Sequence, residues 1–120
     1  MFATYSGTVM GNVANIAAPN RPVIIARGDF NMNFDFASRN GLASITNFAG
    51  MNASGGVAEV LSPNNDATFS GTLSGLGITG EIGGNFVNNE LTPAAGVLGQ
   101  FTIEDSINNL AGVGTFMGTQ

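Results

Sequence analysis

The residues of this chain that could do acid–base chemistry are eight carboxylates and one tyrosine, and their usual companions are missing. Of 120 residues none is His, Cys, Lys or Trp. Without imidazole, thiol or amine there is no Ser-His or Cys-His pair, no Schiff-base lysine, and no soft or nitrogen ligand for zinc or copper. Carboxylate-only hydrolysis is what remains, and it needs two acids within about 5–9 Å of each other. Asp29 and Asp35 share a face of a predicted strand, but six residues of strand separate them by roughly 20 Å. They are expected to be solvated charges, with Arg27 in weak surface contact with Asp29. A mechanism built on Asp29, Asp35, Glu59 or Glu90 is the one challenge to a non-catalytic reading.

Metal and haem chemistry find little support. Asn64-Asn65-Asp66 and Glu104-Asp105 are oxygen-rich turns, yet neither fits a calcium-binding loop, and local bonding of Asn and Asp to turn backbone accounts for them. A haem would have only Tyr5, Met1, Met10, Met32, Met51 or Met117 as axial ligand. Tyr5 and Met32 alternate with polar neighbours and are expected in the core. The sequence therefore predicts no metal and no cofactor.

Charge narrows the partners. Three scattered arginines, Arg21, Arg27 and Arg39, stand against eight acids for a net charge of −5. Nucleic-acid binding needs clustered cations, so it is excluded. One domain fits this length, and it must be held by packing and hydrogen bonds because there are no disulfides. The first twenty residues lack the pattern of a secretory leader, and no stretch approaches a membrane-spanning helix. Only 9% of residues are charged, with Asn, Gly, Thr and Ser dominating the polar set. That balance favours an exported domain.

The controlling period is two. From Ile24 to Phe36 the even positions are Ile24, Ala26, Gly28, Phe30, Met32, Phe34 and Phe36, and the odd ones include Arg27, Asp29, Asn31, Asn33 and Asp35. This is a long strand with one buried face. The alternation returns with Gly in the inward register: Tyr5, Gly7, Val9, Gly11, Val13; Phe69, Gly71, Leu73, Gly75; Leu110, Gly112, Gly114, Phe116. Gly beside Phe points to a tightly curved sheet whose rings need empty neighbours. Turn signals delimit eight runs, at 2–13, 23–37, 42–48, 56–61, 68–74, 78–87, 96–103 and 110–117, with the four prolines between them. Asn40-Gly41 is the expected type I′ hairpin turn. The predicted fold is all-β, an eight-stranded antiparallel up-and-down barrel, Gly-rich with a Phe-filled interior; a two-sheet sandwich is the alternative. Phe30, Phe34, Phe36, Phe69, Phe86, Phe101 and Phe116 are the expected core rings. A membrane barrel has the same period, but interfacial Trp and Tyr girdles are missing.

Several phrases carry a resemblance. Phe69-Ser70-Gly71-Thr72-Leu73-Ser74-Gly75, Gly84-Asn85-Phe86, Glu90, Gly99-Gln100-Phe101 and Ala111-Gly112-Val113-Gly114-Thr115-Phe116 resemble the carboxyl-terminal barrel of transferrin-binding-protein-like surface lipoproteins, a group that includes the factor H-binding lipoproteins. The phrases cover the last half of the chain. The resemblance implies an eight-stranded barrel, a binding role, and a place on or outside the outer membrane of a Gram-negative bacterium. The ending Thr115-Phe116-Met117-Gly118-Thr119-Gln120 replaces the group's basic finish, and there is no lipobox cysteine, so any tether would lie in a region beyond these residues.

The function expected is that of a non-catalytic surface binding module for a host protein or small ligand, or else a structural subunit of a fibre, coat or matrix built from barrel copies. If links alternate between barrel ends, 15–21, 49–55, 75–77 and 104–109 share one rim, three of them long and polar, and the Asn40-Gly41 turn lies at the other. Binding residues favour loops displayed on rigid scaffolds. Asn15, Arg21, Met51, Asn52, Glu104 and Asp105 are the expected contacts.

Overall fold

In the computed structural model, which describes residues 2–18, 20, 22–60, 68–88 and 94–120, the chain forms eight strands: β1 (Phe2–Asn15), β2 (Ile24–Asp35), β3 (Asn40–Phe48), β4 (Met51–Val60), β5 (Thr68–Gly75), β6 (Ile78–Val87), β7 (Gly96–Asp105) and β8 (Leu110–Thr119). Each pairs antiparallel with its sequence neighbour, and β8 closes on β1. The sandwich alternative is thereby set aside. Closure leaves no exposed edge for another chain to extend.

The register fixes the width of the barrel. Stepping from strand to strand through paired residues leads from Ser6 to Asn31, Ser44, Ser54, Ser74, Thr79, Glu104, Ala111 and back to β1 at Ala14, eight residues beyond the start. Eight strands with a stagger of eight tilt by about 36° and enclose a space that side chains can fill. Every residue on this path points outward, and the outer wall also carries Arg27, Asp29 and Glu81, whereas the large apolar residues of alternate positions point inward. That is the reverse of a membrane-spanning barrel, whose apolar side faces lipid.

Aromatic rings occupy the axis. Phe30, Phe34, Phe69, Phe101 and Phe116 are buried, and Phe36 and Phe86 pack against the same core from the barrel end. Phe30 stacks on Phe116 with centroids 4.4 Å apart, while Phe86 touches Tyr5, Phe34, Phe36 and Phe69. Tyr5 and Met32 are core residues as expected. Phe116, Gly99, Gly84 and Phe69 lie side by side across β8, β7, β6 and β5. A Cβ at Gly84 would lie 2.9 Å from the ring tips of both Phe116 and Phe69, and one at Gly99 would lie 2.7 Å from Phe116. The two rings meet over a stretch of sheet with no side chains.

Turns depart from the expected ones in two places. Asn40 and Gly41 begin β3, paired with Asp35 and Phe34; the turn is the four-residue link 36–39, and its positive φ of 62° falls on Arg39. Asp35 explains why. Its carboxylate accepts the Ala37 amide at 2.9 Å and its carbonyl accepts the Arg39 amide at 2.8 Å, closing the link before Asn40 is reached. The β3–β4 link is instead Ala49-Gly50, with φ of 51° and 78°, the two positive values of a type I′ turn. This extends β4 to Met51, five residues before the expected 56. Strict alternation from Ile45 would send Phe48 outward. A bulge at Asn47, φ 59°, restores it to the core.

Asp105 repeats the device of Asp35. Its carboxylate accepts the amides of Ile107 and Asn108, each at 3.0 Å, and the Asn108 side-chain amide at 2.8 Å, so 106–109 is a turn rather than helix. The Asn108 side chain, then the backbone amides, hold the Asp105 carboxyl below its ordinary value; the Ala37 amide does the same first for Asp35.

Substitution should separate ring-bearing glycines from the rest. Gly99→Ala is expected to cost about 1–3 kcal/mol by overpacking and Phe34→Ala about 3–5 kcal/mol. Gly56→Ala, whose Cβ would meet nothing closer than 3.9 Å, should be neutral or stabilising. Urea unfolding midpoints read the difference, and equal effects at Gly99 and Gly56 would refute the ring packing. Because both aspartates have folded pKa values below the ordinary one of about 3.9, their contribution is complete above that pH and is lost as pH falls through the folded values. The unfolding midpoint should therefore drop in acid, and Asp105→Asn should flatten the drop while lowering the plateau. Identical pH profiles for parent and variant would contradict the assignment.

Candidate functional site

The end of the barrel carrying the links 16–23, 49–50, 76–77 and 106–109 is tied together by its own backbone. Ile16 donates its amide to the Asn109 carbonyl at 2.8 Å, and Ser106 donates both its amide, at 2.9 Å, and its hydroxyl, at 3.1 Å, to the Gly77 carbonyl. Three adjacent links thus form one surface. Three large apolar side chains project from it among exposed Ser and Asn: Ile16 is 57%, Ile107 61% and Leu76 88% exposed. The Ile107 side chain lies over Gly77, with its Cδ1 2.5 Å from where a Cβ would stand. A side chain there would push Ile107 off the turn.

Those of the expected contact residues that are described sit at this end, but most are spent on the fold. Asn15 is half-buried and its Oδ1 accepts the Ala17 amide at 3.0 Å. Asn52 is exposed, and its Oδ1 accepts the Asn47 amide at 3.0 Å. Glu104 is exposed on the outer wall, paired in register with Ala111. Met51 is a correction: as the first residue of β4 it points inward, 1% exposed, because the Ala49-Gly50 turn is shorter than expected. Asp105 is another, 4% exposed and engaged with its own turn. Arg21 lies outside the described residues, as do Asn64-Asn65-Asp66, Glu90 and Met1. The long links are not gathered here either: 49–50 and 76–77 have two residues each, while 88–95 at the opposite end spans eight. Ile16, Leu76 and Ile107 were missed. Their signal was a large aliphatic residue at a turn position between Asn, Gly and Ser, as in Gly75-Leu76-Gly77 and Ser106-Ile107-Asn108.

Among the described residues Asp29, Asp35 and Glu59 each engage a different partner, whereas Glu81 and Glu104 lie diagonally across β6 and β7 on one outward face. Asp29 accepts a hydrogen bond from the Asn47 side-chain amide at 3.2 Å, Asp35 caps a turn, and Glu59 lies 3.9 Å from Arg39. Among the described residues no group of three or more acids could hold a metal ion. At the far end the Tyr5 hydroxyl and the Gln120 side-chain amide both donate to the Ala94 carbonyl, each at 2.7 Å. Burial raises the Tyr5 pKa. Beside this end, the outer wall carries an apolar hollow of about 450 Å³ floored by Gly96 and lined by Val87, Leu98 and Met117.

A second depression, a trough of about 980 Å³, crosses the outer wall beside the rim from β5 to β1 and is lined by Asn12, Ala14, Val23, Glu81, Glu104 and Val113 among others. Buried rings fill the axis, so the surfaces open to a partner are the rim and the outer wall.

No family model and no curated protein matches the sequence. Among solved structures, the chain superposes over 100% of its length on a transferrin binding protein B variant from Haemophilus parasuis Hp5, with a TM-score of 0.64 and 19% identity. It superposes over 99% of its length on a transferrin binding protein B variant from Actinobacillus pleuropneumoniae H49, with a TM-score of 0.65 and 11% identity. Both are described as vaccine antigens. The chain spans 26% of the first and 62% of the second. With every strand accounted for in these superpositions, the chain has the eight-stranded barrel fold found within transferrin binding protein B.

Proposed function

We propose that this chain is a non-catalytic binding module displayed on the surface of a Gram-negative bacterium, and that it engages a protein partner through the rim formed by Ile16, Leu76 and Ile107. The observation that carries the reading is the exposure of these three side chains on hydrogen-bonded links. Apolar tips held rigid by their own backbone gain contact area without the cost of ordering a loop. A protein partner suits them because Ile16, Leu76 and Ile107 project from three separate links and buried rings fill the axis of the barrel. The fold supports the same reading, since transferrin binding protein B is a barrel-bearing protein named for its protein ligand. The lack of His, Cys and Lys supports the non-catalytic part.

A second reading, a subunit of a fibre or coat, is favoured by the apolar hollow at Val87, Leu98 and Met117, which lies beside the end opposite the rim. Tips of one copy docked in the hollow of the next would give an open, head-to-tail polymer.

Immobilised chain should retain a defined protein from serum, with purified transferrin as the first probe. Leu76→Asp with Ile107→Asp should lower that affinity at least about 100-fold, the scale of losing a hot spot, while Ser38→Asp in the 36–39 link should leave it unchanged. Retention unaffected by the rim pair would refute the rim reading. Light scattering that shows a concentration-dependent ladder, abolished by Met117→Asp, would favour the polymer.

A further inference from the structure

We propose that the wall beneath the rim tips Leu76 and Ile107 receives a basic side chain, Arg or Lys, of the protein partner, with its cationic head between Glu81 and Glu104. This gives the rim its partner chemistry and rests on the reading of that end of the barrel as a protein-binding surface. Glu81 pairs with Thr102 and Thr79 with Glu104 across β6 and β7, so the two carboxylates stand on a diagonal of one outward face, roughly 7–8 Å apart at the backbone. Both are exposed. Leu76 lies in the link from β5 to β6 and Ile107 in the link from β7 to β8, and the hydrogen bonds from Ser106 to Gly77 tie those links together. Tips and carboxylates therefore belong to one side of the barrel, within reach of a single partner.

The surface between them is continuous. Ser74, Thr79 and Glu104 line both the trough of about 980 Å³ and a smaller hollow of about 500 Å³ that reaches Gly77 and Ser106 in the rim. A segment crossing from rim to wall meets Glu104 first and Glu81 one row, roughly 7 Å, farther down. Exposed Thr72, Thr79 and Thr102 border the pair, and their hydroxyls can accept the remaining donors of a guanidinium or ammonium group.

Charge selects the occupant. Asp29, Asp35, Glu59 and Asp105 are each engaged by an amide or an arginine, whereas neither Glu81 nor Glu104 makes a hydrogen bond or ion pair with a described residue. Arg39 is beside Glu59 at the opposite end, and Arg27 is on β2, across the barrel from β6. Two like charges set side by side without a cation cost the isolated chain stability, and a cation from a partner removes that cost. A metal ion is a poor occupant, because among the described residues no group of three acids forms around the pair. Arg or Lys on a protein satisfies the charge and arrives with the same partner whose apolar residues cover the rim.

Hexaarginine serves as a probe for the basic segment, and its uncharged hexacitrulline counterpart as the control. Titrated into isotope-labelled chain at low salt, hexaarginine should shift the amide resonances of Thr79, Glu81, Thr102 and Glu104 more than those around Asp29 or Glu59, and hexacitrulline should not. Glu81→Gln combined with Glu104→Gln should weaken hexaarginine binding about fivefold or more and leave the urea midpoint unchanged or higher, as expected of charges kept for binding at the expense of the fold. For a serum protein retained through the rim, the same double variant should lower affinity about tenfold and flatten its salt dependence. Retention lost on Leu76→Asp with Ile107→Asp but indifferent to the glutamine pair, in affinity and in salt dependence, would overturn this inference and leave the rim reading standing. Shifts spread evenly over all the carboxylates, an equal response to hexacitrulline, or a midpoint lowered by the glutamine pair would overturn it as well. Retention lost with the glutamine pair and kept with the rim pair would support it and sink the role of the apolar tips.

Discussion

Phe rings lying over strand positions that lack a side chain are the contact on which the rest of this molecule depends. A barrel with eight strands and a stagger of eight has a narrow interior. Eight Phe and one Tyr could not enter it if every inward position carried a Cβ. Gly84 and Gly99 clear the space where Phe69 and Phe116 meet, and the ring of Phe101 lies 2.8 Å from where a Cβ at Gly114 would stand. Gly in a strand weakens it on propensity grounds. Here that cost is offset by dense ring packing along the axis.

Filling the axis moves recognition outward. Eight-stranded barrels that hold small ligands keep an open interior, whereas this one offers only its rims and wall. Its low charge then matters, because exposed aliphatic side chains stand among Thr, Ser and Asn rather than within a charged border. The turn chemistry serves the same end. Asn15, Asp35 and Asp105 each close a turn by accepting an amide two residues on, so polar residues that seemed free to touch a partner are holding links in place, and the aliphatic residues in those links face solvent.

The strands were legible because alternation survives even where Gly takes half or more of the inward positions, as in β5 and β8: 78–87 is β6 to the residue, and the seven expected rings all join the core. Turns were less legible. Asn40-Gly41 has the right chemistry for a hairpin, but the Asp35 side chain, five positions upstream, ends the strand first. Ala49-Gly50 was hidden because Ala seldom adopts positive φ. The rim itself could be located from strand parity, yet its contact residues could not. Whether Met51 faces a partner or the core depends on where a turn ends, and a one-residue error reverses the answer.

Ring-current effects in the proton spectrum test the central claim most directly. With Phe69 and Phe116 over Gly84 and Gly99, the α-protons of both glycines should be shifted upfield well outside their ordinary range and show nuclear Overhauser contacts to both rings. Contacts across β1 and β8, between Gly11 and Gly114, should accompany them. Glycine α-protons at ordinary shifts with no ring contacts would mean that the axis is not filled as described, and the argument that recognition belongs to the outer surface would fall with it.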